Sequence, residues 1–297
     1  MNVQKSYAGT IGGSHEGEAG KLYLVATPIG NLEDMTFRAI RMLKEADLIA
    51  AEDTRQTRKL LTHFDIHTRL VSYHEHNKSA SGPELIRLLI EGKNIALVSD
   101  AGLPAISDPG ADLVSDAVAA GIAVIAVPGA NAALSALIMS GLPTDQFLFA
   151  GFLPRDKKSA QRMLEQLGRQ RATILLYESP HRIAKTLAYM LDAVGNRRIA
   201  VARELTKRHE EVLRGTITEA MEWFGQHEPK GEFCIVMEGA GEDEANQDTG
   251  GSDWWETLDL ESHVAHYENT MSRKEAIKQT AMDRGLSKRD VYNEVNR

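Results

Sequence analysis

Short apolar runs alternate with helical patterns along most of the chain. From Lys21 onward, apolar residues between these runs recur at the spacing of helix faces. Strands that alternate with helices form parallel sheets, so the pattern predicts an α/β fold with a parallel N-terminal sheet. The expected strands are near-continuous apolar runs, typical of strands buried on both faces: Leu22–Thr27, Leu48–Glu52, Ile95–Ser99 and Ile122–Val127.

Prolines predict the starts of three helices, because the first turn of a helix tolerates a residue without an N–H. Each is followed by apolar residues at helical spacing and then by a glycine that ends the pattern. The predicted starts are Pro83, Asp108-Pro109 and Ser179-Pro180, the last opening a helix over 180–194.

A second α/β unit is predicted after the turn-rich stretch Gly141–Asp145. Its pattern is strand, helix, strand, helix, two strands in succession, a short helix and a strand. Two successive strands indicate an antiparallel pair, so we expect a mixed second sheet. The expected strands are 147–152, 173–178, 199–202, 211–218 and 233–238.

Two short helices are predicted near the end of the chain. Ser272–Glu275 and Ser287–Asp290 match the capping box or its Asp variant, and Gly285 separates them. The predicted organisation is therefore a tail (1–20), an N-terminal α/β domain (21–142), a second α/β domain (143–240), an acidic linker (241–256) and a small helical RNA-binding-type region (257–297).

The charge of −8 does not exclude a nucleic-acid partner. Residues 242–261 contain eight acids and no Lys or Arg, so the rest of the chain is formally neutral and can carry basic surfaces. No apolar stretch approaches the length of a membrane span and no secretory signal opens the chain, so we expect a cytoplasmic protein without a membrane partner. The single cysteine, Cys234, lies in an apolar run and is expected in a core.

Three loops that follow apolar strands predict a ligand cleft, because open α/β sheets bind ligands at the carboxyl ends of their strands. These loops are 27–31, 99–104 and 127–132. None has the glycine pattern of a dinucleotide site or a P-loop, which disfavours both ligands. Small residues, Asp100 and helix N-termini would suit a zwitterionic adenosyl ligand. The alternative is that these are ordinary turns and that Asp100 caps a helix.

Two charged segments follow other strands. Residues 51–55 (AEDTR) and 202–209 (ARELTKRH) place carboxylates and cations beyond strand ends, where a substrate can approach, and Glu204 or Lys207 could take or steer a proton. The alternatives are a capped helix start and a solvated loop. The histidines at 63, 67, 74 and 76 lack a zinc-type array, so no metal is expected.

A basic stretch over 155–171 carries a local charge of about +4 that could follow a phosphate backbone, although a solvated helix face is equally ordinary. The first turns of both C-terminal helices also carry paired cations, where a bound phosphate would suit the helix dipole. The candidate RNA contacts are Arg155, Lys157, Lys158, Arg182, Arg208, Lys288 and Arg289.

Taken together, nine motifs in one order resemble the tetrapyrrole methylase family, and within it the enzymes that methylate small-subunit ribosomal RNA. The similarity runs from about Lys21 to Gly239. The motifs are TPIGNL (27–32), AEDTR (51–55), SYHEHN (72–77), SDAGLP (99–104), ISDPG (106–110), VPGANA (127–132), YESPHR (177–182), ARELTK (202–207) and KGEF (230–233).

The resemblance implies S-adenosylmethionine as methyl donor in an interdomain cleft, a homodimer, and 2′-O-methylation of a decoding-centre cytidine in 16S rRNA, either naked or within the small ribosomal subunit. Matching the family's motifs position by position assigns donor contacts to Pro28, Asp100, Ala101, Gly102, Ile106, Asn131, Ala132, Tyr177, Leu205 and Gly231.

For this reaction, we expect Glu204 or Asp53 to accept or orient the hydroxyl proton, and Arg55 and Lys207 to hold adjacent phosphates. Two other functions stay open. One is a methylase of the same fold that acts on a tetrapyrrole or another small molecule, and the other is a non-catalytic RNA-associated factor without affinity for the donor.

Overall fold

The computed structural model describes residues 4, 19–241, 255, 258–269 and 271–295. Two compact units divide the chain, residues 1–239 and 240–297. Of the predicted tail, only Gln4 and residues 19 and 20 are described, and the Gln4 side chain donates to and accepts from the backbone of Val124 (2.8 and 2.9 Å). The predicted acidic linker lies outside the described residues apart from Gly241 and Trp255.

The first sheet has five parallel strands in the order β3-β2-β4-β1-β5, which confirms the predicted fold class. β3 is short and was not among the predicted strands. Because all strands run the same way, the loops that follow β1, β2, β4 and β5 meet at one edge. The strands are β1 (Lys21–Val25), β2 (Leu48–Ala51), β3 (Leu70–Ser72), β4 (Ile95–Val98) and β5 (Ala123–Val127).

Helices bury both faces of this sheet. Alternate residues of a strand point to opposite faces, so Leu22 enters one core and Tyr23 the other. This double burial explains why the strands are almost continuously apolar. The helices that cover it are α1 (Phe37–Glu45), α2 (Thr54–His63), α3 (Lys78–Ile90) and α4 (Gly110–Ala119), whereas α5 (Ala132–Ser140) follows β5 and packs on the second sheet.

The prediction that Pro83 opens a helix is wrong. α3 begins at Lys78, so Pro83 lies inside it and deprives the Ser79 carbonyl of its usual hydrogen bond. Ser79 is exposed, and water can replace the lost donor.

Two other helix starts are shifted. Pro109 is the N-cap of α4 rather than a first-turn residue, and the Asp108 carboxylate accepts hydrogen bonds from the backbone N–H groups of Ala105 and Gly110. The helix predicted over 180–194 begins at Ile183, because the preceding residues form a turn closed by the Arg182 N–H and the Ser179 carbonyl.

The second sheet is mixed, as predicted, with the order β6-β7-β10-β8-β9. β6 and β7 are parallel, and the other neighbours are antiparallel. Its strands are β6 (Phe147–Phe152), β7 (Thr173–Glu178), β8 (Arg198–Arg203), β9 (Glu211–Thr216) and β10 (Phe233–Met237). The helices that connect these strands are α6 (Lys157–Gly168), α7 (Ile183–Val194) and α8 (Ile217–Gln226).

Helix α5 joins the two sheets. Its residues Ala136 and Leu137 pack in one apolar cluster with Leu175 and Val236 of the second sheet. Burial of a side chain such as Leu137 stabilises the fold by about 1.5–3 kcal/mol. Cys234 lies in the same cluster, only 3% exposed, which confirms its prediction as a core residue. Since α5 directly follows β5, this contact holds the loop edge of the first sheet beside the second.

The C-terminal unit is helical, with α9 (Leu260–Glu268), α10 (Arg273–Asp283) and α11 (Lys288–Val295). The two helices predicted from capping boxes are confirmed, and the box at Ser272 and Glu275 is complete. α9 was not predicted. Val264, Ile277 and Val291 form the centre of a small core. Among the described residues, no helix is both long and apolar enough to cross a membrane.

Candidate active site between the two sheets

A cavity of about 640 Å³ lies at the carboxyl edge of the first sheet and is also lined by the second. This volume is in the range of small-molecule and cofactor sites, about 300–1,000 Å³. The structure brings together many of the residues that sequence analysis selected from distant motifs. Those that line the cavity are Asp100, Ala101, Gly102, Ile106, Asn131, Ala132, Tyr177, Glu204, Leu205 and Lys207.

Backbone pairing holds two of the predicted loops against each other. Thr27 and Gly102 exchange both N–H···O bonds (2.9 and 3.0 Å), and the Thr27 hydroxyl donates to the Ser99 carbonyl. Gly102 has φ +79°, a conformation that glycine adopts without strain. The turn at Asp100–Gly102 is thereby fixed at the cavity wall, whereas Pro28 is not among the lining residues.

The start of α5 supplies another part of the wall. The Asn131 side-chain oxygen accepts the Leu134 N–H at 2.9 Å, which makes Asn131 the N-cap and orients the first turn. Asn131 and Ala132 both line the cavity.

Glu52, which sequence analysis did not select, also lines the cavity. Burial raises the pKa of its carboxyl, and the negative charges of Asp100 and Asp108 raise it further. A hydrogen bond from the Asp100 backbone and the nearby His74 act in the opposite direction but do not cancel the increase. Glu52 is therefore a carboxylate with increased proton affinity at the wall of the cavity.

Asp53 and Arg55 lie outside the cavity lining. The Asp53 carboxylate accepts hydrogen bonds from the Arg55 side chain (3.1 and 2.9 Å) and from the Arg55 backbone N–H (2.8 Å). These bonds lower the pKa of Asp53 to about 2, which makes it a weak base. Its backbone N–H donates to the Asp100 carboxylate at 3.0 Å. This geometry supports the alternative of a capped helix start with an exposed ion pair.

Glu204 and Lys207 do line the cavity, as an ion pair. The Lys207 ammonium donates to Glu204 at 2.9 Å and to Glu232 at 2.8 Å. Burial alone would raise the pKa of Glu204, but hydrogen bonds from Lys207 and from the Glu232 N–H outweigh it and lower that pKa. For Lys207, burial is likewise outweighed, by Glu232 and Glu204, and the pKa is raised. Both groups therefore stay charged near neutral pH.

Close packing holds this pair on a strained backbone. Glu204 and Thr206 have φ of +50° and +65°, in the left-handed region that residues other than glycine rarely adopt. A Cβ on Gly30 would lie 2.4 Å from Lys207 Cγ, so the loop that follows β1 closely approaches the Glu204–Lys207 loop. Gly231 does not line the cavity, but a Cβ there would lie 2.4 Å from Glu204 Cγ.

The lining is strongly acidic. Among its described residues, Lys207 is the one lysine, and no arginine is present. Such a wall favours a ligand that carries a positive centre and disfavours anions. The lining acids are Glu52, Asp100, Asp108, Glu178, Glu204 and Glu232.

The predicted RNA contacts lie outside the cavity lining. Arg155, Lys157, Lys158 and Arg208 are exposed. Arg182 is held internally, because its guanidinium donates to the carbonyls of the residues at 153 and 154, which leaves it less suited to bind phosphate. In the C-terminal unit, the first turn of α11 exposes Lys288 and Arg289.

Glu52 and Phe152 show what sequence reasoning missed and why. Glu52 is the last residue of a predicted strand and lies in the AEDTR motif (51–55), so its position at the strand end is a signal that could have identified it. Phe152 lines the cavity because of a local irregularity in β6, for which the sequence offers only the neighbouring Gly151 as a signal.

Within the described part of the chain, no group of three or more His, Cys, Asp or Glu side chains is arranged to hold a metal ion.

Comparisons with known proteins agree with this architecture. The family model "Tetrapyrrole (Corrin/Porphyrin) Methylases" matches residues 21–221. The chain is 58% identical to "Ribosomal RNA small subunit methyltransferase I" of Halalkalibacterium halodurans, covering 99% of this chain and 98% of that protein. It is 54% identical to the protein of the same name from Bacillus subtilis, covering 93% and 94%.

Solved structures show the same fold. Uroporphyrin-III-C-methyltransferase from Thermus thermophilus superimposes with a TM-score of 0.52 at 25% identity, covering 73% of this chain and 94% of that one. A structure of that enzyme complexed with S-adenosylhomocysteine matches with the same TM-score at 20% identity, covering 74% and 97%. The chain belongs to the tetrapyrrole methylase family and, within it, to the ribosomal RNA small subunit methyltransferase I proteins.

Proposed function

We propose that the protein transfers a methyl group from S-adenosylmethionine to the 2′-oxygen of a cytidine in the decoding centre of 16S rRNA. The observation that carries the proposal is the acidic cavity at the carboxyl edge of the first sheet, closed on its other side by the second. The names of the relatives support the small-subunit RNA as substrate.

The residues of the cavity fit this donor. Its volume suits a small cofactor, and its acidic wall suits a ligand that carries both a sulfonium and an ammonium group. The residues that would hold the donor are the lining members of the predicted set, namely Asp100–Gly102, Ile106, Asn131, Ala132, Tyr177 and Leu205. When bound, the donor supplies a methyl group on a sulfonium, whose leaving group is a neutral thioether.

Glu52 is the carboxylate we assign to the proton of the attacking ribose hydroxyl. In the reaction the oxygen–methyl bond forms, the sulfur–methyl bond breaks and the hydroxyl proton needs an acceptor. A base acts best when its pKa is near the working pH, and burial moves the pKa of Glu52 in that direction. Asp53, with a pKa of about 2, is a poor choice. Such a base contributes roughly 10²–10⁴-fold to the rate.

Glu204 and Lys207 have a positioning role in this proposal. Lys207 already bridges two carboxylates, so it has little capacity to hold a phosphate as well. The fixed pair instead presents an oriented carboxylate and ammonium to the sugar, which would select one orientation of the nucleoside.

The exposed basic residues Arg155, Lys157, Lys158 and Arg208 are proposed to contact phosphates outside the cavity. Lys288 and Arg289 are proposed to contribute from the C-terminal unit. The homodimer implied by the family resemblance stays a prediction.

Mapping of ribose methylation in small-subunit RNA tests the proposal. We expect cells that lack the protein to lose one 2′-O-methylcytidine, which returns when the gene is restored. An unchanged map would contradict the proposal. Calorimetric titration with S-adenosylmethionine tests the alternative of an RNA-associated factor, which would show no affinity for the donor. Methylation of a tetrapyrrole instead of RNA would favour the remaining alternative, although the acidic wall is unfavourable for a ligand rich in carboxylates.

A further inference from the structure

A bulge in β6 turns Phe152 toward the cavity. Side chains of a regular strand alternate between faces, so Phe149 and Phe152, three residues apart, would point to opposite sides. The pairing of β6 with β7 shifts between Phe149 and Gly151, and Gly151 has φ +66°. As a result both phenylalanine rings contact the same Tyr177 ring, at 4.9 and 5.6 Å between centroids. A β-bulge commonly redirects a side chain at a functional site.

Phe152 is nevertheless only partly covered. Its side chain is 53% exposed although it lines the cavity, whereas its neighbour Leu153 is 2% exposed. The ring therefore lies where the cavity opens to solvent. A large exposed aromatic side chain at such a place is a surface on which a planar ligand can stack.

The first half contributes to the same opening. A Cβ on Gly151 would lie 3.4 Å from the Ser107 hydroxyl, so the bulge adjoins the loop that precedes α4. Ile106, which directly precedes Ser107 in that loop, is 41% exposed and also lines the cavity. Two exposed apolar side chains, one from each half, thus border the opening.

The charge of the wall limits what can enter. RNA phosphates are disfavoured inside an acidic cavity, so the backbone must stay outside while one nucleoside reaches in. A nucleoside that reaches into the cavity while its phosphates stay outside must leave the base stack of a structured RNA, which costs a few kcal/mol unless a new surface receives the base.

On this basis, and resting on the proposed function, we propose that Phe152 is the stacking platform for the unstacked pyrimidine base of the substrate nucleotide. The ring compensates for the stacking that the base loses in the RNA and holds the ribose at the cavity opening. Phe152 is a positioning residue for the RNA and takes no part in holding the donor.

The test compares Phe152→Ala, Phe152→Tyr and Phe147→Ala in methylation assays on purified small ribosomal subunits that lack the modification. Loss of one base–aromatic stack should raise KM for the subunits by about 5- to 150-fold in Phe152→Ala. Phe152→Tyr retains an aromatic ring and should restore KM to near the wild-type value. The affinity for S-adenosylmethionine, measured by calorimetry, should be the same in all variants.

Phe147→Ala is the matched control, because Phe147 lies on the same strand with a similar exposure of 45% but does not line the cavity. A KM of Phe152→Ala equal to that of Phe147→Ala would overturn the inference. So would a loss of donor affinity with an unchanged KM for the subunits, which would assign the ring to the donor's adenine. Absence of RNA methylation by the wild-type protein would instead refute the proposed function itself.

Discussion

The loops at 51–55 and 202–207 both place charged side chains at the end of a strand, but their chemistry differs. The first contains two carboxylates and one cation, whereas the second contains one carboxylate, Glu204, and two cations, Arg203 and Lys207. In the second loop the ion pair of Glu204 and Lys207 faces the cavity. In the first, the ion pair of Asp53 and Arg55 lies outside, and the adjacent Glu52 faces the cavity. Among the described residues, no cation forms an ion pair with Glu52.

The difference shows that the neighbours of a carboxylate decide its role. A cation within hydrogen-bonding distance lowers the pKa of Glu204, whereas burial beside other acids raises that of Glu52. The arrangement around Glu204 suits a positioning group that stays charged near neutral pH, whereas the arrangement around Glu52 suits a proton acceptor. This comparison can be tested by substitutions in both loops.

Glu52→Gln should have the largest effect on activity. Loss of the proton acceptor should reduce kcat by roughly 10²–10⁴-fold without changing the affinity for S-adenosylmethionine. In the wild type, the rate should rise with pH through the raised pKa of Glu52, because only the ionised carboxylate accepts a proton. Single-turnover assays across pH test both points, and a variant that keeps full activity and the same pH profile would exclude Glu52 as the base.

Gly231→Ala should disturb the Glu204 loop. The substitution forces an alanine into φ +83° and places its Cβ 2.4 Å from Glu204 Cγ. Strain of this kind costs about 1–3 kcal/mol, which urea denaturation can measure, and methylation should fall as Glu204 is displaced. Gly225→Ala is the control, because a Cβ in that helix meets nothing within 4 Å. Equal stability of the two variants would show that the Glu204 loop tolerates displacement.

The two glutamates should affect stability with opposite sign. The lowered pKa of Glu204 means that its contribution is present above its ordinary pKa and is lost as pH falls through the lowered one. Glu204→Gln should therefore be less stable than the wild type at pH 7, by less than about 1 kcal/mol, and the difference should vanish in acid.

Glu52 titrates the other way, because its ionised form is disfavoured in the folded state. Glu52→Gln should be more stable than the wild type at pH 7, and this gain should shrink as pH falls from the raised pKa and disappear below the ordinary pKa of the carboxyl. Urea denaturation at several pH values measures both differences. The same sign for both variants at pH 7 would contradict the assignment of the two roles.

Asp53→Asn should have the smallest effect. Asparagine can still cap α2, so only the exposed ion pair with Arg55 is lost. The stability that Asp53 contributes is lost in the wild type only as pH falls from about 4 towards 2. Activity at neutral pH should stay near that of the wild type. A loss of kcat as large as that of Glu52→Gln would return Asp53 to the catalytic group.

Most of the fold followed from local signals that tertiary contacts did not override. The apolar strands of the first sheet and the capping box at Ser272 were both predictable, because burial on two faces and N-terminal capping act over a few residues. The prediction for Pro83 was wrong because proline only prefers the first turn of a helix. In α3 it lies inside the helix. α9 was not predicted because its sequence has weak amphipathic periodicity.

The site was predictable in part. The loops at strand ends were found because parallel strands place them at one edge. Burial and charge around Glu52 depend on Asp100 and Asp108, which only folding brings near. The orientation of Phe152 depends on a register shift between strands, which no spacing in the sequence specifies.

The most direct test is methyl transfer by the purified protein from labelled S-adenosylmethionine to unmodified small ribosomal subunits, followed by digestion of the RNA to nucleosides and mass spectrometry. The predicted result is label in 2′-O-methylcytidine with the wild type and almost none with Glu52→Gln. Label on a base, or no transfer to RNA at all, would contradict the assignment of this cavity to ribose methylation.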